Sequence, residues 1–328
     1  MNTTRLSRRR ALAALGATAS PWLWAQSAMQ GRPIDTQGRP ITWLVGQPAG
    51  GTTDVLTRVV ARALAHQLDQ AVIVENRPGA AGAIALQAAA KAAQDGLTLV
   101  SIPGPTLTHI PRPQIGKEMT ALAILARGPM VLVGTMATAL PPTLEGLLAA
   151  ARKNPGVLSY ATSGNGTSQH LTGELLNQLA RTQMTHIPYK GGGQAVTDVV
   201  GGQVPLGLLG ITPVLPHIKA GRLRAYGIST ATRSGLLPDV PTLQEAGLPD
   251  FNADQWFVVA TPTGVPDDRV QALNAAINRA LQAPEVQAAY VAAGVEPTLA
   301  TAQQSTAFVL QEMERWQALA HQAKLQWD

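Results

Sequence analysis

The fold is indicated most directly by the stretch ITWLVGQPAGGTTDVLTRVVARALAHQL at residues 41–68. Its first five residues are apolar except for one threonine, which is typical of a buried strand. A glycine-rich turn at 47–53 follows, and apolar residues then recur three and four positions apart, as on one face of a helix. The stretch therefore predicts a strand, a turn and a helix in succession, which is how a βαβ unit begins.

The same order of elements continues along the chain and then recurs. Strands are predicted at 72–74 and 97–102, with a helix at 81–93 between them. Because strands that alternate with helices favour a parallel sheet, this part is expected to form an α/β domain. A second series comprises a strand at 157–160, a small-residue turn at 161–167, a helix at 168–179, strands at 184–187 and 204–209, and a short helix at 195–200 between those strands. This repeat of architecture predicts two similar α/β domains.

The rest of the chain supplies helices and two candidate crossings. Helices are predicted at 267–281, 285–293 and 303–324. Two apolar stretches, 130–133 and 256–260, stand where the chain could pass between the domains. Outside the N-terminal leader, no segment is long and apolar enough to predict a membrane span.

The first 25 residues have the composition of an export signal. Arginines at 5 and 8–10 precede a short apolar run, and small residues at 25–28 offer a cleavage zone. The paired arginines fit the twin-arginine export route as well as the general route. A membrane anchor is the alternative, although the apolar run is short for a span of about 20 residues. We expect a periplasmic protein whose signal is cleaved near residues 25–28.

The basic character of the chain belongs mostly to this leader. The whole sequence has 25 basic and 20 acidic residues, and removing the four leader arginines leaves 21 basic residues against 20 acidic ones. A nucleic-acid-binding domain is expected to keep a basic face, so nucleic acid is excluded as a partner. The absence of cysteine excludes disulfides, thiolate catalysis and cysteine-based metal sites.

No pattern of catalytic or metal-binding residues is found. The six histidines lack a metal-ligand spacing, and neither a G-x-S-x-G elbow nor a phosphate-binding G-x-x-x-x-G-K-[ST] loop occurs. Gly164-Asn165-Gly166 begins like a dinucleotide-binding fingerprint, but Gln169 stands where the third glycine belongs. We therefore expect no catalytic residue, no metal and no cofactor.

Two strand-to-helix turns form the candidate binding site. A helix N-terminus leaves N–H groups unpaired and carries about half a positive charge, glycines allow a ligand to approach the backbone, and hydroxyls add donors. Two domains that face each other would present both turns to one small anion. The alternative is that these residues only cap helices and turn the chain. The candidates in the turns are Gly50, Gly51, Thr52, Thr53, Ser163, Gly164, Asn165, Gly166, Thr167 and Ser168.

Two charged residues stand beside these turns. Asp54 is interpreted as a helix cap or dipole partner, because a carboxylate would repel an anionic ligand. Lys190 follows the predicted strand at 184–187 and could face a carboxylate, or could be a solvated surface lysine.

Six ordered motifs run along nearly the whole mature chain. They are GGTTD at 50–54, VENRPGA at 74–80 with AAQDGLTL at 92–99, SGNGTSQHL at 163–171, PYKG at 188–191, PHIKAG at 216–221 and LPDVPT at 237–242. In these motifs the chain resembles the periplasmic substrate-binding proteins of tripartite tricarboxylate transporters, the Bug or TctC type.

The resemblance implies an α/β fold of two domains, the type II-like periplasmic-binding-protein or Venus-flytrap fold, in which each domain is a mostly parallel sheet flanked by helices. We expect domain 1 to comprise residues 31–127 and 256–328, and domain 2 to comprise 128–255. The resemblance also implies a receptor that closes on a small organic acid and delivers it to integral-membrane permease subunits. We expect a monomer. To the turn residues it adds Gln47, Asp54 and Tyr189 as ligand-binding candidates.

The chain departs from the family pattern around the predicted cleft. Gln47 stands where an aromatic residue is common, Leu209 and Gly210 replace a frequent Asp-Asn pair, and Ile110 replaces the asparagine of Asn-Pro. These changes leave the identity of the ligand open. Two alternatives would use the same turns: an exported enzyme that binds a cofactor or a phosphate, and a ligand sensor that feeds a signalling partner.

Overall fold

The computed structural model describes residues 34, 36, 38–104, 115 and 117–322, except for the side chains of residues 81, 319, 320 and 322. The predicted export signal and Ile110 lie outside these residues. None of the helices in the described part combines the length and the apolar content that crossing a bilayer requires.

The first predicted βαβ series is confirmed, with small shifts at its ends. It consists of β1 (Ile41–Val45), α1 (Thr52–Leu68), β2 (Val72–Asn76), α2 (Ala83–Ala90) and β3 (Thr98–Pro103). β1 pairs in parallel with both β2 and β3. α1 buries Leu56, Val60 and Leu64 in the same apolar cluster as Ile41 and Trp43 of β1, because residues four apart share one face of a helix.

The rest of the described chain continues the alternation of helices and strands. In order it comprises β4 (Met119–Thr135), α3 (Leu144–Lys153), β5 (Ser159–Thr162), α4 (Ser168–Ala180), β6 (Thr185–Pro188), α5 (Gly192–Val200), β7 (Leu206–Gly210), α6 (Ile211–Lys219), β8 (Leu223–Ile228), β9 (Asp254–Pro262), α7 (Asp267–Leu281), α8 (Pro284–Ala293), β10 (Glu296–Thr298) and α9 (Ala302–Gln322). The apolar stretches at 130–133 and 256–260 lie within β4 and β9.

The strands join in the order β2-β1-β3-β9-β4-β7-β5-β6, and β8 and β10 also pair with β4. Pairing is parallel among β1, β2 and β3, and among β5, β6 and β7. β4 and β9 run antiparallel to their neighbours, so the sheet is mixed where a mostly parallel one was expected. β9 is buried along its whole length and β4 along nearly all of it. Their sequences therefore lack the alternation that marks an antiparallel strand with one face in water.

Buried apolar residues fall into four clusters, one pair in each half of the sheet. One pair of clusters draws on β1, β3, the first part of β4, β9 and α7. The other pair draws on the last part of β4, β5, β7 and α4. β4 contributes to the clusters of both halves of the sheet, with Ala126 in one cluster and Met130 in another. Trp316 of α9 packs in a cluster with residues of β5, β7 and α4, although α9 follows β9 and α7 in the chain.

Candidate functional site

A cavity of about 460 Å³ is lined by residues from both halves of the sheet. The first residues of three helices, α1, α4 and α5, contribute to its lining. The C-terminal end of β7, the first turn of α6 and the first half of β9 contribute as well. The cavity therefore joins the two predicted turns to a third one, at residues 190–194.

The first turn, which we call loop 1 (residues 47–53), lies entirely along the cavity. Gly50 has φ of +78°, a conformation that favours glycine. Gly51 is the N-cap of α1 and has no side chain to accept from the helix. The first N–H groups of a helix have no partner within it. Those of α1 are therefore the donors that loop 1 can offer to an anion.

Asp54 does not line the cavity, but its side chain is hydrogen-bonded to loop 1. Its carboxylate accepts hydrogen bonds from Gly50 N–H at 2.9 Å, from Asn76 Nδ2 at 2.8 Å and from Arg58 Nε at 2.9 Å. Asn76 also donates to the carbonyl of Gln47 at 3.0 Å. Burial alone would raise the pKa of Asp54, but the hydrogen bonds from Arg58, Gly50 and Asn76 lower it below its ordinary value. The carboxylate is thus charged and accepts three hydrogen bonds, one of them from loop 1.

In the second turn, loop 2 (residues 163–167), several hydrogen-bonding groups already pair with residues of α4. Ser163, Thr167 and Ser168 line the cavity. The N–H of Ser163 donates to Oε1 of Gln169 at 2.7 Å, so it is already paired. Thr167 caps α4 by accepting from His170 N–H at 3.4 Å. The N–H groups of Ser168 and Gln169 are the remaining donors of the first turn of α4.

Four predicted site residues of the second half lie outside the cavity lining: Gly164, Asn165, Gly166 and Tyr189. Gly164 has φ of +137°, and a Cβ there would lie 2.9 Å from the carbonyl oxygen of Tyr189, so this glycine allows loop 2 to approach β6. The Tyr189 hydroxyl donates to Asp198 at 2.7 Å. Partial burial first, and Asp198 second, raise the pKa of Tyr189 to about 12. Gly164 therefore shapes loop 2, and Tyr189 pairs with α5, whereas Asn165 is exposed.

A stacked pair of imidazoles supports loop 2. The rings of His170 and His186 lie 3.9 Å apart and are inclined by 12°. Nδ1 of His170 accepts from Gly166 N–H at 3.1 Å, and Nε2 of His186 lies 2.7 Å from the Thr162 hydroxyl. Burial, and then the neighbouring His170, lower the pKa of His186 to about 3. His186 is therefore neutral at physiological pH.

Several residues of the cavity were not among the predicted contacts. Lys190, for which the sequence left a carboxylate contact and a surface position open, lines the cavity and is solvent-exposed, and the glycines at 191–193 lead into α5. The run of three glycines after a strand was the available signal for this third turn. The other unpredicted lining residues, from β7, α6, β9 and α8, include Leu209, Thr212, Pro213, Gln255, Phe257 and Ala293.

The charges around the cavity favour an anion. Among the described residues that line it, Lys190 alone is charged and none is acidic. The starts of α1, α4 and α5 each add about half a positive charge. In the part of the chain that the structure describes, no group of three or more His, Asp or Glu side chains could hold a metal ion. A small anion with several acceptor oxygens is the ligand that this arrangement suits best.

Comparison with known proteins identifies the family. Residues 56–325 match the family model of the tripartite tricarboxylate transporter family receptor. The chain is 38% identical over 285 residues to protein BugT of Bordetella pertussis, a match that covers 85% of this chain and 87% of BugT. The family resemblance predicted from the motifs is thereby confirmed.

Solved structures of similar proteins share the fold. A Rhodopseudomonas palustris protein solved with adipate has 29% identity and a TM-score of 0.83, with 88% of this chain and 99% of that chain covered. MatC from Rhodopseudomonas palustris, solved with bound malate, has 30% identity and a TM-score of 0.78, with 86% and 98% covered. The periplasmic binding protein BugD has 27% identity and a TM-score of 0.80, with 88% and 98% covered. The predicted periplasmic-binding-protein fold is therefore confirmed.

These relatives are solute receptors and not enzymes, so the receptor prediction is favoured over the exported enzyme. The chain belongs to the tripartite tricarboxylate transporter receptor family, whose members are periplasmic solute receptors.

Proposed function

We propose that this receptor captures a small carboxylate-bearing organic molecule in the cavity and delivers it to the membrane permease subunits of a tripartite transporter. The observation that carries the proposal is the meeting of three helix starts and Lys190 around a cavity whose described lining has no acidic residue. The binding of adipate and malate by two similar proteins supports a carboxylate as the ligand class.

The ligand contacts that we propose are the predicted residues that line the cavity: Gln47, Gly50, Gly51, Thr52, Thr53, Ser163, Thr167 and Ser168. Asp54, Gly164, Gly166 and Tyr189 act by holding the loops in place, and Asn165 has an exposed side chain outside the cavity lining. Hydrogen bonds to a charged group contribute about 1.5–3 kcal/mol each. Three to five of them would supply the roughly 8 kcal/mol that corresponds to micromolar affinity.

Binding is coupled to closure of two domains in this proposal. Domain 1 comprises residues 31–127 and 256–328, and domain 2 comprises 128–255. The separation of the apolar clusters between Ala126 and Met130 supports this division. A ligand that touches loop 1 and loop 2 together binds the closed form more tightly than the open form, and so shifts the balance towards closure.

We further propose that the mature protein is a monomer in the periplasm, exported with residues 1–25 as its signal and cleaved near residues 25–28. Sequencing the N-terminus of the exported protein and measuring its mass in solution test these two points. An N-terminus at residue 1 would contradict cleavage, and a dimer mass would contradict the monomer.

The experiment that tests the carboxylate proposal is calorimetric titration of the mature protein with mono-, di- and tricarboxylates and with a phosphate ester. At least one carboxylate should bind with micromolar affinity. The Gly51→Val variant should lose most of this affinity, because the added side chain would cover the first N–H groups of α1. Gly235→Val is a matched control, since Gly235 lies outside the cavity and a Cβ there meets no atom within 4 Å. Binding of the phosphate ester alone would overturn the proposal.

A further inference from the structure

We infer that the side-chain amide of Gln169 contacts the ligand and donates to a hydrogen-bond acceptor on it, such as a carboxylate oxygen; this rests on the proposed carboxylate-receptor function. Gln169 is the second residue of α4 and was not among the predicted contacts. It lines the cavity together with Thr167 and Ser168. Its amide is held in one orientation, and that orientation leaves a donor available to the cavity.

The orientation of this amide is fixed by the backbone of loop 2. The N–H of Ser163 lies 2.7 Å from Oε1 of Gln169 and donates to it. A backbone N–H can only donate, so an amide nitrogen in the place of Oε1 would face it donor to donor. The amide therefore cannot exchange its oxygen and nitrogen without losing a hydrogen bond that is largely shielded from water.

The nitrogen of the same amide has no partner in the part of the chain that the structure describes. Gln169 is buried, with 9% of its surface exposed, and its Oε1 makes the one hydrogen bond found for the side chain there. Buried polar groups are nearly always hydrogen-bonded, because an unpaired one costs free energy. Since Gln169 lines the cavity, an acceptor on the bound molecule is the partner that satisfies Nε2.

The fixed amide makes the start of α4 selective for acceptor groups. Its Nε2 adds two N–H donors to the unpaired backbone N–H groups of the first turn of this helix. A carboxylate or carbonyl oxygen satisfies such donors, whereas an ammonium or an amide NH₂ group in the same place would oppose them. A glutamine that is free to turn over could serve either kind of ligand. The hydrogen bond from Ser163 removes this freedom and makes Gln169 a donor only.

The test is Gln169→Glu, which keeps an acceptor for the Ser163 N–H and replaces Nε2 by a charged oxygen that cannot donate. Calorimetric titration of the mature protein with acetate, malate, adipate, citrate and benzoate identifies the tightest of these carboxylates, which then serves as the probe. Gln169→Glu should bind this probe about a hundredfold more weakly, because a donor is lost and a like charge is added. Gln178→Glu is the matched control, since Gln178 is an exposed residue of α4 outside the cavity lining. It should change the affinity less than about threefold.

Proton uptake provides a second readout for the same variant. When the carboxyl group introduced by Gln169→Glu takes up a proton, it regains a donor for the probe. The affinity of this variant, relative to that of the unmodified protein, should therefore rise as the pH falls from about 8 to about 5. A side chain that only holds loop 2 in place would give no such recovery, because its contact with Ser163 is present throughout.

An affinity of Gln169→Glu within threefold of the unmodified protein would overturn the role given to Gln169 and leave the receptor function intact. Equal losses in Gln169→Glu and Gln178→Glu would do the same, because the effect would then be one of net charge. If circular dichroism shows that Gln169→Glu does not fold, nuclear magnetic resonance of the unmodified protein decides. The side-chain amide signal of Gln169 should move when the probe is added, and a signal that stays in place would overturn the inference. Failure of all five carboxylates to bind the unmodified protein would instead overturn the proposed function itself.

Discussion

Replacing Asp54 by alanine should destabilise the protein by about 3 kcal/mol. The carboxylate accepts from Gly50 N–H and Asn76, and hydrogen bonds to a charged acceptor are worth about 1.5–3 kcal/mol each. The third contact counts for little, about 0–1 kcal/mol, because the Arg58 side chain is 42% exposed. Relief from burying a charged group offsets part of the loss.

Thermal unfolding measures this effect. A change of 1 kcal/mol shifts Tm by about 2–4 °C in a protein of this size, so Asp54→Ala should lower Tm by roughly 6–12 °C at pH 7. Hydrogen bonds hold the folded pKa of Asp54 below the value of the unfolded chain. The stabilisation is therefore present above the unfolded pKa and is lost as pH falls through the folded pKa. The Tm difference should shrink in acid.

A matched variant separates the role of loop 1 from simple loss of charge. Glu75 pairs with Arg77 at 2.8 Å, but the two side chains are 45% and 44% exposed. Glu75→Ala should therefore lower Tm by no more than about 4 °C. A Tm for Asp54→Ala within 2 °C of the unmodified protein would refute the reasoning, and so would a loss of stability without any weakening of carboxylate binding.

Three further predictions concern loop 2 and its support. The pKa of His186 is about 3 in the folded protein, below the usual 6.5, so the unfolded chain binds a proton more readily. The free energy of unfolding should therefore fall by about 1–2 kcal/mol between pH 6.5 and pH 3, after allowance for the partial exposure of His186. Urea titrations should show a weaker pH dependence for His186→Gln, and equal slopes would contradict this. Removing a helix cap costs about 1 kcal/mol, so Thr167→Ala and Thr143→Ala should lose similar stability in urea. Only Thr167→Ala should weaken ligand binding in calorimetry, and an equal effect of both would contradict its role in loop 2. Gly173→Ala should lower Tm by several degrees, because the new Cβ would lie 2.2 Å from the buried ring of Tyr160, and an unchanged Tm would show that the ring can move.

Much of the fold could be predicted because its elements are amphipathic or strongly apolar. β1 and α7 begin and end at the predicted residues. The direction of β4 could not be predicted, since a strand buried on both faces reads the same in either direction. α6 was not predicted either, because it contains Pro213 and Pro216, which usually mark helix ends.

The candidate site was predicted only in part. Both turns line the cavity, as a glycine-rich turn before a helix suggested. The N–H groups of Ser163 and Gly166 donate to the side chains of Gln169 and His170. These pairings could not be predicted, because they depend on how the side chains of α4 are oriented towards loop 2. Leu209 was noted only as a departure from the family pattern, and the structure places it fully buried at the C-terminal end of β7.

The unbroken course of β4 has a mechanical consequence. The first part of β4 is hydrogen-bonded to β9 and its last part to β7 and β8. Any rotation of one half of the sheet against the other must therefore bend this continuous strand. The ladder changes partners near Gly128 and Pro129, and a proline contributes no N–H to it. Bending a continuous strand of this kind distorts its hydrogen bonds and costs free energy. In the proposed closure, the bending of this strand opposes the rotation and favours return to the open form.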